Sequence, residues 1–156
     1  RGPIAFFKAS ARAQAVAIST QSSLASLPAM VSGVKAMGVG DRSADVVLPI
    51  SVALFRATGP CMNLAVAIYV AHLMGIELSI GVLAIGVATM GAVSLPGSIS
   101  FITSIAPICL AMGLPIEPLV LLLAIETFPD IMRTVANVSA DMSVTAIIAR
   151  SEGDIT

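Results

Sequence analysis

Residues 78–116 read LSIGVLAIGVATMGAVSLPGSISFITSIAPICLAMGLPI, thirty-nine positions without one charged side chain. A helix crosses a bilayer in roughly 20 apolar residues. As one straight helix this run would reach ~58 Å at 1.5 Å per residue, far beyond a single crossing. It is interrupted by Ser94-Leu95-Pro96-Gly97-Ser98, where proline removes a backbone donor and glycine frees the dihedrals. No charge marks an aqueous loop there. The run over 78–114 therefore predicts a re-entrant helical hairpin whose tip stays at membrane depth, which requires protein or a wet cavity to satisfy its backbone.

The same device occurs earlier. Ala13–Val34 is a second charge-free run, of 22 residues, and Ser22-Ser23-Leu24-Ala25-Ser26-Leu27-Pro28 interrupts it, predicting a first hairpin over 3–40. Each hairpin is followed by a long apolar segment, over 44–75 and 117–150. Hairpin then helix, twice, is the pattern of transporters built from inverted repeats with broken helices. The expected fold is an all-α membrane protein with two re-entrant hairpins and two transmembrane helices, one broken and one polar-striped, in an inverted-repeat arrangement.

Composition supports a bilayer environment. Hydrophobic residues make up 57% of the chain and charged ones 11%, with a mean hydropathy of +1.01; a soluble domain carries about 25% charged residues. A net charge of -1, no Trp and one Tyr offer no surface for nucleic acid. Cys61 and Cys109 lie in apolar runs as small hydrophobes. If each hairpin returns to its own side, Arg1, Lys8, Arg12, Lys35, Arg42 and Arg150 share one face, and the other holds only Glu77 and Glu117. The positive-inside rule makes the first face cytoplasmic.

Five charges remain inside the predicted hydrocarbon zone: Arg56, Glu126, Asp130, Arg133 and Asp141. Each costs at least ~2.5 kcal/mol unless paired or hydrated. Glu126, Asp130, Arg133, Asn137 and Asp141 fall within roughly an 80° arc of one helix, beside Thr134. One explanation is a ladder of internal ion pairs that locks the bundle; the other, favoured for intramembrane ionisable groups, is a binding stripe. Pro129 is expected to free a carbonyl one turn back. Phe55-Arg56-Ala57-Thr58-Gly59-Pro60 breaks the preceding transmembrane helix, and Arg56 either snorkels toward an aqueous pocket or pairs with a carboxylate of the last helix.

Together the Ser-rich tip at 22–28, the second tip ending in Pro96-Gly97, Asp130-Ile131-Met132-Arg133-Thr134-Val135-Ala136-Asn137-Val138-Ser139-Ala140-Asp141 and the closing Thr145–Gly153 segment resemble the C-terminal half of the dicarboxylate/amino acid:cation symporters, the glutamate-transporter family. The resemblance implies cation-coupled symport of acidic amino acids by alternating access at the cell's inner (plasma) membrane, through a multi-pass protein and with no chemical step. It implies that Asp130 receives the substrate's amino group and Arg133 forks its side-chain carboxylate. Thr134 and Asn137 would hold the main carboxylate with Ser22, Ser23 and the backbone around Leu95. Asn137 and Asp141 would belong to a sodium site. No cofactor is expected beyond Na+ or H+ as coupling ion. The family's N-terminal scaffold, which makes a homotrimer, is expected to be absent from these residues.

One departure is plain. Where the family's broken helix carries Asn-Met-Asp-Gly-Thr, this chain carries Phe55-Arg56-Ala57-Thr58-Gly59. The guanidinium of Arg56 would then take the volume of a lost sodium ion and pair with Asp141, leaving coupling to protons or fewer sodium ions, with Glu126 as proton carrier. The alternatives are a divergent carrier of C4-dicarboxylates or other amino acids, proton-coupled or sodium-independent, and, from another class, a non-transporting membrane subunit or sensor.

Overall fold

The computed structural model describes residues 2–55, 57–90 and 99–155, all of whose regular elements are helical. The helices are α1 (Pro3–Thr20), α2 (Ser23–Ala36), α3 (Leu48–Leu54, entered through a π-helical turn at Ser43–Val47), α4 (Gly59–Leu73), α5 (Ile80–Met90), α6 (Ile99–Ala111), α7 (Glu117–Leu123) and α8 (Thr127–Ser151). The chain divides into two compact units, Arg1–Ala57 with Asp130–Thr156, and Thr58–Pro129.

In the first unit α1 and α2 form a helical hairpin, and the break between them is tighter than the sequence suggests. Only Gln21 and Ser22 lie outside helix. Gln21 takes the left-handed conformation, φ 51°, which reverses the chain in one step. Ser22 then caps α2, its hydroxyl accepting from the Ala25 amide at 3.2 Å. Ser23–Pro28, expected to be the interruption, belongs to α2. The cap decides where the helix begins, and Pro28 follows it inside the helix at the loss of one backbone bond.

The core of this unit joins Ala13 and Ala17 of α1, Met30 and Val34 of α2, Leu48 and Val52 of α3, and Val138, Met142 and Ala149 of α8. Small residues set its tightness. A Cβ on Gly33 would lie 2.6 Å from the Ala9 carbonyl oxygen and 2.7 Å from the Met142 terminal methyl. In lipid the tails outside are as apolar as the core, so such close approach, rather than escape from water, drives helix association.

The second unit packs Ala67, Val70 and Ala71 of α4 against Phe101, Ile105, Ile108 and Cys109 of α6, with Leu119 of α7. Cys61, in contrast to Cys109, is exposed. The tip of the second predicted hairpin, with Leu95, lies outside the described residues, as does Arg56. The helices flanking that tip, α5 and α6, pack on one another.

Two further readings change. The last apolar segment is not one helix: α7 ends at Leu123, a turn spans 124–126, and α8 begins at Thr127. Glu126 therefore precedes the helix whose stripe it was expected to share. Pro129 sits in the first turn of α8, where its missing N–H costs nothing, rather than kinking a continuous helix. The segment over 44–75 is interrupted. The stretch Ser43–Leu73, 31 residues with mean hydropathy 1.3, is long and apolar enough to cross a membrane, and α3 stops at Leu54 before α4 starts at Gly59. Both units expose large apolar side chains, among them Leu54 at 80% and Ile80 at 88%, a surface that suits lipid better than water.

Candidate functional site

Helix α8 carries the polar stripe, and it faces the protein. Its buried residues are Thr134, Asn137, Val138, Asp141, Met142, Thr145 and Ala149, the i, i+3, i+4, i+7 spacing of one helical face. Four of these seven are polar. Burying such groups is costly unless each is satisfied, and backbone carbonyls one turn back satisfy the hydroxyls. Thr134 donates to the Asp130 carbonyl at 2.8 Å and Thr145 to the Asp141 carbonyl at 2.8 Å.

At the start of the stripe, Arg133 turns both Nε and a terminal nitrogen to Oδ1 of Asp130, the Nε contact at 3.1 Å. The pair is largely enclosed, with side-chain exposures of 15% for Arg133 and 27% for Asp130. The first rung of the internal ladder therefore exists. It also leaves a guanidinium and a carboxylate pre-set at the margin of the core, where a ligand bearing both charges would meet a partner for each.

Asp141 is different. It is 1% exposed, and its Oδ1 has no hydrogen-bond partner. A buried carboxylate oxygen without a donor is expensive, and it suits a hard cation, which takes oxygen ligands, or a proton. Asn137, one turn earlier on the same face, is 5% exposed and its carbonyl is of the same hard-oxygen type. These two residues fit a sodium ion by donor chemistry. Among the described residues no group of three or more His, Cys, Asp or Glu could hold a metal, so transition-metal chemistry finds no cluster there.

The hairpin tip can be placed by height along α8. Gln14 of α1 donates its side-chain amide to the Ser139 hydroxyl at 3.0 Å, while Ala9 lies level with Gly33 and Met142. Moving up α1 thus means moving back along α8. From Gln14 to Thr20 is about 9 Å of helix rise, and the same rise from Ser139 leads to Arg133. On that rise alone, Ser22 and Ser23, both partly buried, would stand near the level of the Asp130–Arg133 pair. The Ser22 hydroxyl is already engaged as the α2 cap, and its carbonyl accepts from Ser26 Oγ at 2.9 Å. The first-turn amides of α2 are therefore the more available donors for an anion at the tip.

Glu126 lies in the second unit, 8% exposed, at the wall of an apolar cavity of about 260 Å³ shared with Met62, Val66, Tyr69, Phe101 and Leu122. Gln14 was missed by the sequence reading. A polar amide at the start of a charge-free run, one residue after Ala13, was the signal that could have found it.

A family model, the sodium:dicarboxylate symporter family, matches residues 1–151. Among curated proteins the chain is similar to excitatory amino acid transporter 2 of Homo sapiens, 33% identical over 90% of this chain and 25% of that protein. It is similar to the proton/glutamate-aspartate symporter of Escherichia coli, 30% identical over 88% of this chain and 32% of that protein. It is also similar to the C4-dicarboxylate transport protein of Bacillus subtilis, 28% identical over 89% and 34% respectively. The chain spans a quarter to a third of the length of these relatives.

Proposed function

Because this chain belongs to the sodium:dicarboxylate symporter family, a family of membrane transporters, we propose that it forms the substrate-binding part of a multi-pass secondary transporter of the plasma membrane, carrying acidic amino acids together with a cation by alternating access. The observation that carries this reading is the enclosed Asp130–Arg133 pair at the head of a buried polar helix face that also holds the orphaned Asp141 oxygen. A structural ladder would not leave that oxygen bare.

The chemistry follows from the residues. An acidic amino acid presents an ammonium and two carboxylates. Its ammonium would take Asp130, and its side-chain carboxylate would take Arg133, whose planar fork suits a carboxylate. As the substrate enters, the Asp130–Arg133 bonds are exchanged for bonds to the ligand, so neither charge is left unpaired in a poorly hydrated place. The main carboxylate would lie toward Thr134 and Asn137, with the amides of the cap Ser22 and of Ser23 in the first turn of α2 and the backbone near Leu95 closing over it. A sodium ion at Asn137 and Asp141 would supply positive charge that offsets the buried carboxylate. Coupling then follows: the Asp141 face is unfavourable without a cation, and the anionic substrate is unfavourable beside it.

We further propose that Arg56 contributes a tethered positive charge toward Asp141, lowering the number of sodium ions needed, and that Glu126 carries a proton from its apolar surroundings. The two hairpins are read as re-entrant and as halves of an inverted repeat, and the full-length protein as a homotrimer.

A second reading, C4-dicarboxylate transport, has one observation in its favour. The chain is 28% identical to the C4-dicarboxylate transport protein of Bacillus subtilis, close to the 30% it shares with the proton/glutamate-aspartate symporter of Escherichia coli. Calorimetric titration of the full-length protein with aspartate, glutamate and succinate, with and without sodium, tests the proposal. Cation-dependent binding of the amino acids supports the first reading and preference for succinate the second. No response to any of them in a folded protein points to a non-transporting subunit or sensor.

A further inference from the structure

The end of α8 does more than terminate a helix. Gly153, at φ +70°, turns the chain out of α8 while the Asp154 amide bonds back to the Ala149 carbonyl at 2.8 Å, a glycine-dependent helix stop. Helix α2 ends in the same way through Gly38, at φ +83°, with the Val39 amide on the Val34 carbonyl at 3.1 Å. The two exits then meet. Val39 and Ile155 form an antiparallel bridge, and the Gly40 amide donates to the Asp154 carbonyl at 2.8 Å.

The Asp154 side chain completes the junction. Its Oδ2 accepts from the Ser43 amide at 2.8 Å, across 111 positions of sequence. Ser43 opens the π-helical turn that leads into α3, and no side chain of that segment caps its start. Helix starts carry unsatisfied amides that Asp satisfies well; here the cap is borrowed from the far end of the chain. Gly40 makes room for it, since a Cβ there would lie 1.8 Å from Asp154 Oδ1.

We propose that Asp154 is a positioning residue: its carboxylate latches the foot of the first hairpin and the start of α3 to the foot of α8, and so sets the height of the hairpin tip against Asp130 and Arg133. Besides that carboxylate, hairpin and α8 meet through the Gln14–Ser139 hydrogen bond, the backbone contacts of Val39 and Gly40 with Ile155 and Asp154, and apolar packing, which permits sliding. The latch removes that sliding freedom at the end opposite the ligand. Its bearing on substrate rests on the functional reading above; its geometry does not.

Spin labels at Thr20→Cys and Met132→Cys, in a full-length background with Cys61→Ala and Cys109→Ala, read the height directly. Pulsed electron resonance should give a narrow distance distribution in the parent. Asp154→Ala and Gly40→Ala should each broaden it, and the double variant no further, because both remove one contact. Asp154→Asn should keep it narrow, since an amide oxygen caps as well. Aspartate affinity should fall roughly fivefold in the two broadened variants, the effect of losing one cap, and recover in Asp154→Asn. Where Asp154→Ala fails to fold, Asp154→Glu replaces it, its longer arm overshooting the Ser43 amide. An unchanged distribution in both Asp154→Ala and Gly40→Ala overturns the latch. Broadening without loss of affinity overturns its positioning role. A parent that binds no acidic amino acid while its variants broaden supports the latch and sinks the functional reading instead.

Discussion

Arg133 places two nitrogens on a single oxygen of Asp130, three residues earlier on the same helix. The charge that would receive a substrate carboxylate is thus held by the charge that would receive its ammonium. Under the proposed roles, binding would be an exchange of partners instead of the filling of an empty charged pocket, and the two residues are predicted to fail differently.

Arg133→Ala should abolish binding of every dicarboxylate ligand, amino acid or not, and Arg133→Lys should weaken it by tenfold or more, because charge-assisted bonds are worth about 1.5–3 kcal/mol and the fork is lost. Asp130→Asn should cost the amino acids far more than succinate. Equal losses for aspartate and succinate in Asp130→Asn, measured by titration calorimetry, would contradict the assigned roles.

Asp141→Asn should remove the cation's effect on stability. The parent's unfolding temperature in detergent should rise with sodium or with acid, by mass action on the folded state. The variant, no longer burying a charge, should start at least as stable and respond to neither. A sodium-dependent rise that survives in Asp141→Asn places the cation elsewhere.

Gly33→Ala should destabilise the first unit by about 1–3 kcal/mol, the usual cost of overpacking. The Met142 methyl can swing aside, but the Ala9 carbonyl is backbone and cannot. Denaturant unfolding in detergent would show it, and a variant as stable as the parent would mean that α1 and α2 separate more easily than their packing implies.

Gln14→Ala should cost only about 0.6 kcal/mol, typical of one interhelical hydrogen bond in a membrane protein, since Ser139 keeps its bond to the Val135 carbonyl. A much larger loss of substrate affinity than of stability would show that Gln14 positions the tip.

The latch should depend on pH in one direction. The Ser43 hydroxyl and amide, with the Arg42 guanidinium nearby, hold the Asp154 carboxyl below its ordinary value. A carboxyl depressed in the folded state stabilises it fully above the unfolded value of about 3.9 and loses that contribution as pH falls through the depressed folded value. Exchange protection of the Ser43 amide should therefore hold through neutral pH and fail only under distinctly acidic conditions, and Asp154→Asn should flatten the profile. Loss of protection near pH 6 would place the switch on another group.

Much of this was legible beforehand. The polar face of α8 follows from spacing alone, because 3.6 residues per turn bring Asp130, Arg133, Asn137 and Asp141 together whatever surrounds them. That α3 stops at Leu54 before α4 starts at Gly59 follows from Gly59-Pro60. The hairpin tip was misplaced by several residues because proline is conspicuous in a sequence, whereas the left-handed turn at Gln21 and the Ser22 cap are conformational choices. Glu126 was put on the final helix because its spacing fits; spacing cannot reveal that the helix stops at Leu123 and restarts at Thr127.

Composition and periodicity by themselves determined that this chain is helical, suited to lipid and striped with charge on one helix, since those properties depend only on which residues occur and at what interval. Tertiary structure alone decided which way the stripe faces, that Gln14 reaches Ser139, and that Asp154 caps a helix 111 positions away. Such contacts depend on where two distant backbones approach each other, and local spacing carries no record of that approach.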